Sequence, residues 1–297
     1  MDGILNVLKP RGMTSHDVVS FVRKCIGQKK VGHTGTLDPE AVGVLPICIG
    51  KGTKCCDLLT AAQKSYRTEL ILGFNTDTED IWGNVLAQND CTHLTKEEIT
   101  SVIVSFVGEI EQVPPMYSAV KVGGQKLYAL ARQGVTVERA SRVVTILDIH
   151  IVQINGNRIL MDVHCSKGTY IRTLCQNIGE KLGVGGCMGF LLRTSSGQFD
   201  LQQSITVEQF SAAAQNGEAE QLLIPIEEIL SEYPVIQIIE EDVQKVLNGG
   251  KLSGRYITKK AMFYRVVDTQ QNFLALYEPI DTETQKGLKL AKAFFTL

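Results

Sequence analysis

The chain has 297 residues, 44% of them apolar, with 30 Lys and Arg against 32 Asp and Glu. That length supports a large core and two domains, and the slightly acidic balance does not by itself mark a nucleic-acid binder. The opening "MDGILNVLKPRG" has an acid at its second position and too short an apolar run for a signal peptide, and no stretch reaches the roughly 20 apolar residues of a membrane span, so a soluble, cytoplasmic protein is expected.

In chain order, "SHDVVSFVRKCIG" spaces Val18, Val19, Val22, Cys25 and Ile26 at helical intervals and closes on Gly27, which predicts a helix. The apolar run after Asp38 predicts a buried strand. "KSYRTELILGF" alternates, with Tyr66, Thr68, Leu70 and Leu72 on one side, and predicts a second strand. "NTDTEDIWGN" reads as a turn-rich loop. "THLTKEEITSVIVSFVG" predicts a helix with Thr95 and Glu98 as a capping box. "NRILMDVHCSKG" predicts a strand with Ile159, Met161, Val163 and Cys165 on one face, and "TYIRTLCQNIGEKLG" a helix that buries Ile171, Leu174, Cys175, Ile178 and Leu182.

Strands and helices mix without a strict βαβ rhythm, so the expected class is α+β with a mixed, largely antiparallel sheet. A boundary near "LSEYP" divides residues 1–232 from a small domain over 233–297. There "EEDVQKVLNGG" predicts a short helix, and "AMFYRVVD", "NFLALYEPI" and "LKLAKAFFTL" predict short strands of a β-barrel-like unit.

The eight cysteines are scattered and form no C-x-x-C pair; Cys91 and His93 come nearest to metal spacing, with no further ligand beside them. "GVGGCMG" fails the dinucleotide-loop spacing, and no phosphate-cradling G-x-x-x-x-G-K-[ST] loop exists. Neither a metal nor a cofactor is expected. Charge is unevenly spread. Residues 1–32 carry six basic side chains against two acids, residues 121–142 carry five against one, and residues 203–245 carry nine acids and one lysine. Such polarity suits a polyanion on one face, or simply solvated faces of mixed sign.

"GHTGTLDPEAVGVLPICIG" sets the carboxylate of Asp38 at the lip of the apolar run. Asp-Pro alone more often makes a turn; a rigidly held carboxylate at a buried strand could instead attack carbon. In "HCSKGTYIRTL", Arg172 is either an exposed helix residue or the orienting partner of a carboxylate. Tyr66 is a core strand residue or, between Lys64 and Arg67, a stacking partner for a base beside a phosphate. His33 is a structural histidine or slips between bases.

Together these stretches resemble the bacterial tRNA pseudouridine-55 synthases. "LNVLKPRGMTSHDVV", "GHTGTLDPEAVGVLPICIG", "KSYRTELILGFNTDTEDIWG", "EQVPPMYSAVKVGGQKLYALARQG" and "HCSKGTYIRTL" occur in that family's order, and "YPVIQIIEEDVQKVLNGGKL" is similar to the opening of its C-terminal PUA domain. The resemblance implies a pseudouridine synthase domain, a PUA-like RNA-binding domain, and isomerisation of uridine 55 in the tRNA T-loop without cofactor or metal. It implies Asp38 as nucleophile, Tyr66 against the flipped uracil, and Arg172 paired with Asp38. His33 would fill the vacated stacking space, and Tyr170 would touch the substrate. Thr194 stands where some members carry Leu. Lys9, Lys121, Lys126 and Arg132 would contact RNA, the last three from an insertion spanning about residues 121–142. The expected partner is tRNA, bound through its T-loop and stem by a monomer with no obligate protein partner. The motifs do not distinguish attack at uracil C6 or ribose C1′ from loss of the 2′ proton. A glycosidase that only cleaves the base and a non-catalytic tRNA-folding chaperone are the alternative readings.

Overall fold

The structure, a computed structural model, describes residues 1–282 and 285–295. Strand β1 (Gly3–Lys9) leads through helix α1 (Ser15–Ile26) to β2 (Val31–His33) and β3 (Val42–Ile49). Helix α2 (Cys56–Thr60), β4 (Lys64–Leu72), the hairpin of β5 (Phe74–Thr76) and β6 (Val85–Gln88), α3 (Lys96–Val104) and β7 (Gly108–Gln112) follow. A small hairpin of β8 (Lys121–Val122) and β9 (Gln125–Lys126) precedes α4 (Leu127–Ala131), β10 (Arg142–Asn155) and β11 (Arg158–Cys165). Then come α5 (Ile171–Lys181), β12 (Gly186–Ser196), β13 (Phe199–Asp200), α6 (Val207–Gln215) and α7 (Ile226–Ile229). The last segment holds β14 (Val235–Gln237), α8 (Glu240–Leu247), β15 (Leu252–Ser253), β16 (Tyr264–Val267), β17 (Phe273–Thr282) and β18 (Gln285–Ala293).

Nine strands form the main sheet in the order β1-β3-β12-β4-β11-β10-β7, with β2 on β3 and β13 on β12. Every ladder in it is antiparallel except β3 with β12. The alternation in β4 and β11 turns one side of each into the core, where Tyr66, Leu70, Met161 and Val163 join Leu174, Cys175 and Ile178 of α5. Helix α1 starts at the Thr14–Asp17 capping box and stops at Gly27, whose φ of 63° suits glycine. Helix α3 starts at the Thr95–Glu98 box.

The strands of the main sheet not foreseen are β1, β2, β7, β10, β12 and β13. Strand β12 runs through the sheet centre between β3 and β4, so much of it is covered on both faces and its sequence reads as a continuous apolar run rather than an alternation. "NTDTEDIWGN" is the expected turn-rich loop, its first two residues closing β5 and the rest forming the tip of the β5–β6 hairpin.

Past Pro234 a second, five-stranded sheet runs in the order β14-β16-β17-β18-β15, curled over α8 with Ile236, Val246, Tyr264, Val266 and Leu288 in its core. The last expected strand, "LKLAKAFFTL", is β18 through Ala293; its final residues Thr296 and Leu297 lie outside the described residues. The two sheets are not separated by a solvated linker. Ile4, Val44 and Phe199 of the first pack in one apolar cluster with Ile226, Ile229 and Leu230 and with Phe263, Leu276 and Phe294 of the second.

Candidate active site

Asp38 sits in the connection between β2 and β3, and five anchors fix that connection. Ser15, the first residue of α1, accepts from the Leu37 amide (2.8 Å) and donates to the Leu37 carbonyl (3.2 Å). The Ala41 amide donates to the Asp38 carbonyl at 3.1 Å, and the Gly12 amide to that of Pro39 at 2.9 Å. The fully buried Lys9 ammonium donates to Pro10 (2.8 Å), Met13 (2.6 Å) and Pro39 (3.1 Å). From β12, Arg193 reaches the carbonyls of Val44 (2.7 Å) and Gly35 (3.3 Å). With its neighbours bonded on both sides, Asp38 has little conformational freedom to lose on meeting a substrate.

Its carboxylate meets the fork of Arg172. Nε lies 2.9 Å from Oδ2 and the second terminal nitrogen 3.4 Å from Oδ1. Two further donors go to the carbonyls of Thr78 (2.9 Å) and Tyr117 (2.8 Å). The Arg172 side chain is 4% exposed and that of Asp38 35% exposed, so the cation is sealed in and the carboxylate faces open space. Burying a guanidinium is costly unless its donors are used, and four of the five have partners here. Arg172 is thus a core residue of α5, not an exposed helix residue.

Above it, the hairpin tip presents Glu79 and Asp80. Glu79 has a left-handed φ of 64° and accepts from the Thr173 hydroxyl at 2.6 Å. Asp80 accepts from the Thr78 hydroxyl (2.6 Å) and the Trp82 amide (3.1 Å). Burial raises both carboxyls above their ordinary values.

Tyr66 lies in the same core cluster as Leu37 and Ala41, which flank Asp38. In the sheet register it stands opposite Arg193, whose charge acts on the phenol. Burial raises the phenol's pKa and lowers that of the Arg193 guanidinium. Arg193, 1% exposed, is the functional candidate that the sequence reading missed. Its signal is a single charge inside the apolar run "CMGFLLRT", which has no place in a central strand unless something binds it.

The other expected residues are dispersed. His33 is half-buried on β2, its Nδ1 accepts from the Gly35 amide at 3.3 Å, and burial lowers its pKa below the ordinary 6.5; both favour the neutral ring. Tyr170 is half-buried at the start of α5, where Gln112 donates to its carbonyl and accepts from its amide. Thr194 is the residue skipped where β12 shifts register against β4, between Arg193 and Ser195, so a bulge sets its direction. Lys121, Lys126 and Arg132 are exposed on the small hairpin and just past α4, with the cations of Lys126 and Arg132 at 5.5 and 5.6 Å from the Tyr128 ring. Arg142 already pairs in the main sheet, so the projecting segment ends before it.

Lys9 requires a correction. It was expected to contact RNA, but all three of its protons are committed to carbonyls inside the fold, and burial lowers its pKa to about 8. Its work is structural, on the loop that carries Asp38. Among the described residues no group of three or more His, Cys, Asp or Glu stands close enough to hold a metal ion.

A family model described as TruB family pseudouridylate synthase (N terminal domain) matches residues 23–171, and one described as tRNA pseudouridylate synthase B C-terminal domain matches residues 172–231. A protein named tRNA pseudouridine synthase B from Alkaliphilus oremlandii is 52% identical over 86% of this chain and 85% of its own length. The chain belongs to the TruB family of pseudouridylate synthases. Another TruB relative, from Clostridium perfringens and of the same name, is 46% identical over 98% of both chains. Among solved structures, a chain in the crystal structure of a Cbf5-Nop10-Gar1 complex superposes with a TM-score of 0.75 at 29% identity, over 99% of this chain and 85% of that one. A chain in an H/ACA RNP bound to a substrate RNA containing 2′-deoxyuridine gives 0.74 at 25% identity and the same coverage. The match of the two TruB models meets between Ile171 and Arg172, so the Asp38–Arg172 pair joins the regions they describe.

Proposed function

We propose that this TruB-family enzyme converts uridine 55 in the T-loop of tRNA to pseudouridine, with Asp38 as nucleophile. The observation that carries the reading is a carboxylate fixed by a sealed arginine fork and still open to an incoming base. The N1–C1′ bond breaks, the uracil turns, C5 bonds to C1′, and the C5 proton leaves to solvent while N1 gains one. Arg172 orients the carboxylate. Tyr66, backed by Arg193, packs against the uracil and holds a hydroxyl within the pocket. His33 in its neutral form fills the stacking space left by the flipped base, and Tyr170 and Thr194 line the approach. The unpairing costs a few kcal/mol, which stacking at about 1–3 kcal/mol per base offsets.

Lys121, Lys126 and Arg132 supply the phosphate contacts from the segment over about residues 121–142. Residues 1–232 form the catalytic domain and 233–297 a PUA-like domain that extends the RNA surface. On this reading the enzyme acts as a monomer without an obligate protein partner. The cytoplasm follows as its place from the substrate.

The test uses tRNA labelled with tritium at uracil C5. Wild-type protein should release one tritium per tRNA, and Asp38→Asn should release none while binding tRNA within about tenfold of wild type. Pseudouridine made by pure Asp38→Asn protein would remove Asp38 from the role. Release of free uracil would favour glycoside cleavage instead.

A further inference from the structure

The mouth of the pocket carries an aromatic group that the reaction described above leaves idle. Trp82 is the single tryptophan of the chain and is 49% exposed, an unusual setting for the largest apolar side chain. The Arg11 guanidinium lies over its ring at 4.3 Å from the centroid. Arg11 Nε pairs with Glu40 at 2.5 Å, two residues beyond Asp38, and the Gly12 amide beside it is bonded to Pro39. On the other side, the Trp82 amide donates to Asp80, whose carboxylate shares the field of Arg172 and Asp38.

The loop that presents the indole is rigid. Asp77 accepts from the Asn84 amide (2.8 Å) and its side-chain nitrogen (2.9 Å), Thr76 donates to the Asp80 carbonyl (2.7 Å), and the Ile81 amide donates to the Met188 carbonyl of β12 (3.0 Å). Trp82 is therefore held from both sides by the segments that build the pocket, one face under a cation and much of its remaining surface open to solvent.

We propose that Trp82, backed by Arg11, is a stacking platform for a nucleobase that flanks the uridine turned into the pocket. The inference rests on the tRNA reading given above. Turning a base out of a folded loop leaves its neighbours unstacked, and a preorganised indole beside the opening returns part of that stacking. A fixed ring loses little entropy on contact. The guanidinium on its back polarises the site for an electron-rich base and for the phosphate next to it. An RNA base rather than a protein is the occupant the surroundings favour, because Arg11 ties the platform to Glu40 in the loop that carries Asp38.

The lone tryptophan makes its own probe. A T-stem–loop RNA should quench the protein's intrinsic fluorescence in proportion to binding. An RNA that is abasic at one of the two nucleotides flanking the target should bind with most of that quench lost. Trp82→Ala should lower kcat/KM by roughly tenfold to a hundredfold, the range of one lost stacking contact, and Trp82→Tyr should recover most of it. The proposal is overturned by unchanged fluorescence at saturating RNA, by a quench that neither abasic RNA weakens, or by a Trp82→Leu protein with wild-type kcat/KM. Tritium release by the wild-type protein separates the two readings. Release without these Trp82 responses sinks the platform alone, whereas no release from unmodified tRNA sinks the substrate assignment on which it rests.

Discussion

Arg172 donates to partners from three segments, the Asp38 carboxylate and the carbonyls of Thr78 and Tyr117. Lysine would keep the charge and lose the planar fork, so it could satisfy only part of this set. Arg172→Lys is expected to lower single-turnover kcat by at least about a hundredfold, comparable to losing one preorganised electrostatic contact. Affinity for tRNA and its salt dependence should change little, because the guanidinium is committed inside the fold. A Lys variant with near-normal kcat would show that the fork does not position the carboxylate. Asp38 was legible as a candidate only through the family motif around it, because an Asp-Pro pair by itself more often makes a turn. Its partner was legible only as a type, since Arg172 lies 134 residues away and no local pattern joins the two. Arg193 was legible in principle as a charge inside an apolar run, but its use depends on a parallel pairing of β12 with β3 that the sequence does not announce. Lys9 misled for the opposite reason. Counted as surface charge, it is an interior donor to three carbonyls.

At the scale of elements, the contact between β3 and β12 is the most exacting. Gly43 pairs with Arg193, has a φ of 117°, and a Cβ placed there would lie 2.2 Å from the Arg193 carbonyl oxygen. Gly43→Ala combines a left-handed strain with a backbone clash that no side-chain rotation relieves, so a loss of at least about 2 kcal/mol is expected from the urea midpoint. An unchanged midpoint would show that the two strands can slide apart without cost. The insertion behaves differently. Its hairpin β8–β9 turns at Gly123 and Gly124, and Leu127 is the buried residue of α4. So little apolar anchoring predicts that amides of 121–134 exchange rapidly in the free protein and slow on adding tRNA. Equal exchange in both states would count against an ordering step. Helices with caps and strands with alternation, α1, α3, β4 and β11, were readable from local chemistry. Strands β1, β2, β7, β10, β12 and β13 were not. In β12 an apolar run covered on both faces looks the same as a helix segment or a buried turn until its neighbours are known.

For the molecule as a whole, the polarity of charge along the sequence was only partly informative. Of the six basic side chains in residues 1–32, Lys9 is buried and Arg23 is half-buried with a bond to the Val31 carbonyl, so fewer remain for phosphate than the count suggests. The α+β class and the change of texture near Pro234 were legible because strand lengths and turn spacing shift there. The apolar cluster that spans the two sheets was not, because Ile4, Val44, Phe263 and Leu276 are far apart in sequence and each reads as an ordinary core residue of its own sheet. That cluster has a calorimetric consequence. Two sheets that share one set of buried side chains cannot lose one partner without exposing the other, so heating should melt both in a single endotherm whose calorimetric and van't Hoff enthalpies agree. A chain cut after residue 232 would leave Ile4, Val44 and Ile229 facing water. It should unfold at lower temperature than the whole protein, and two well-separated endotherms in the intact chain would mean that the shared cluster transmits no cooperativity between the sheets.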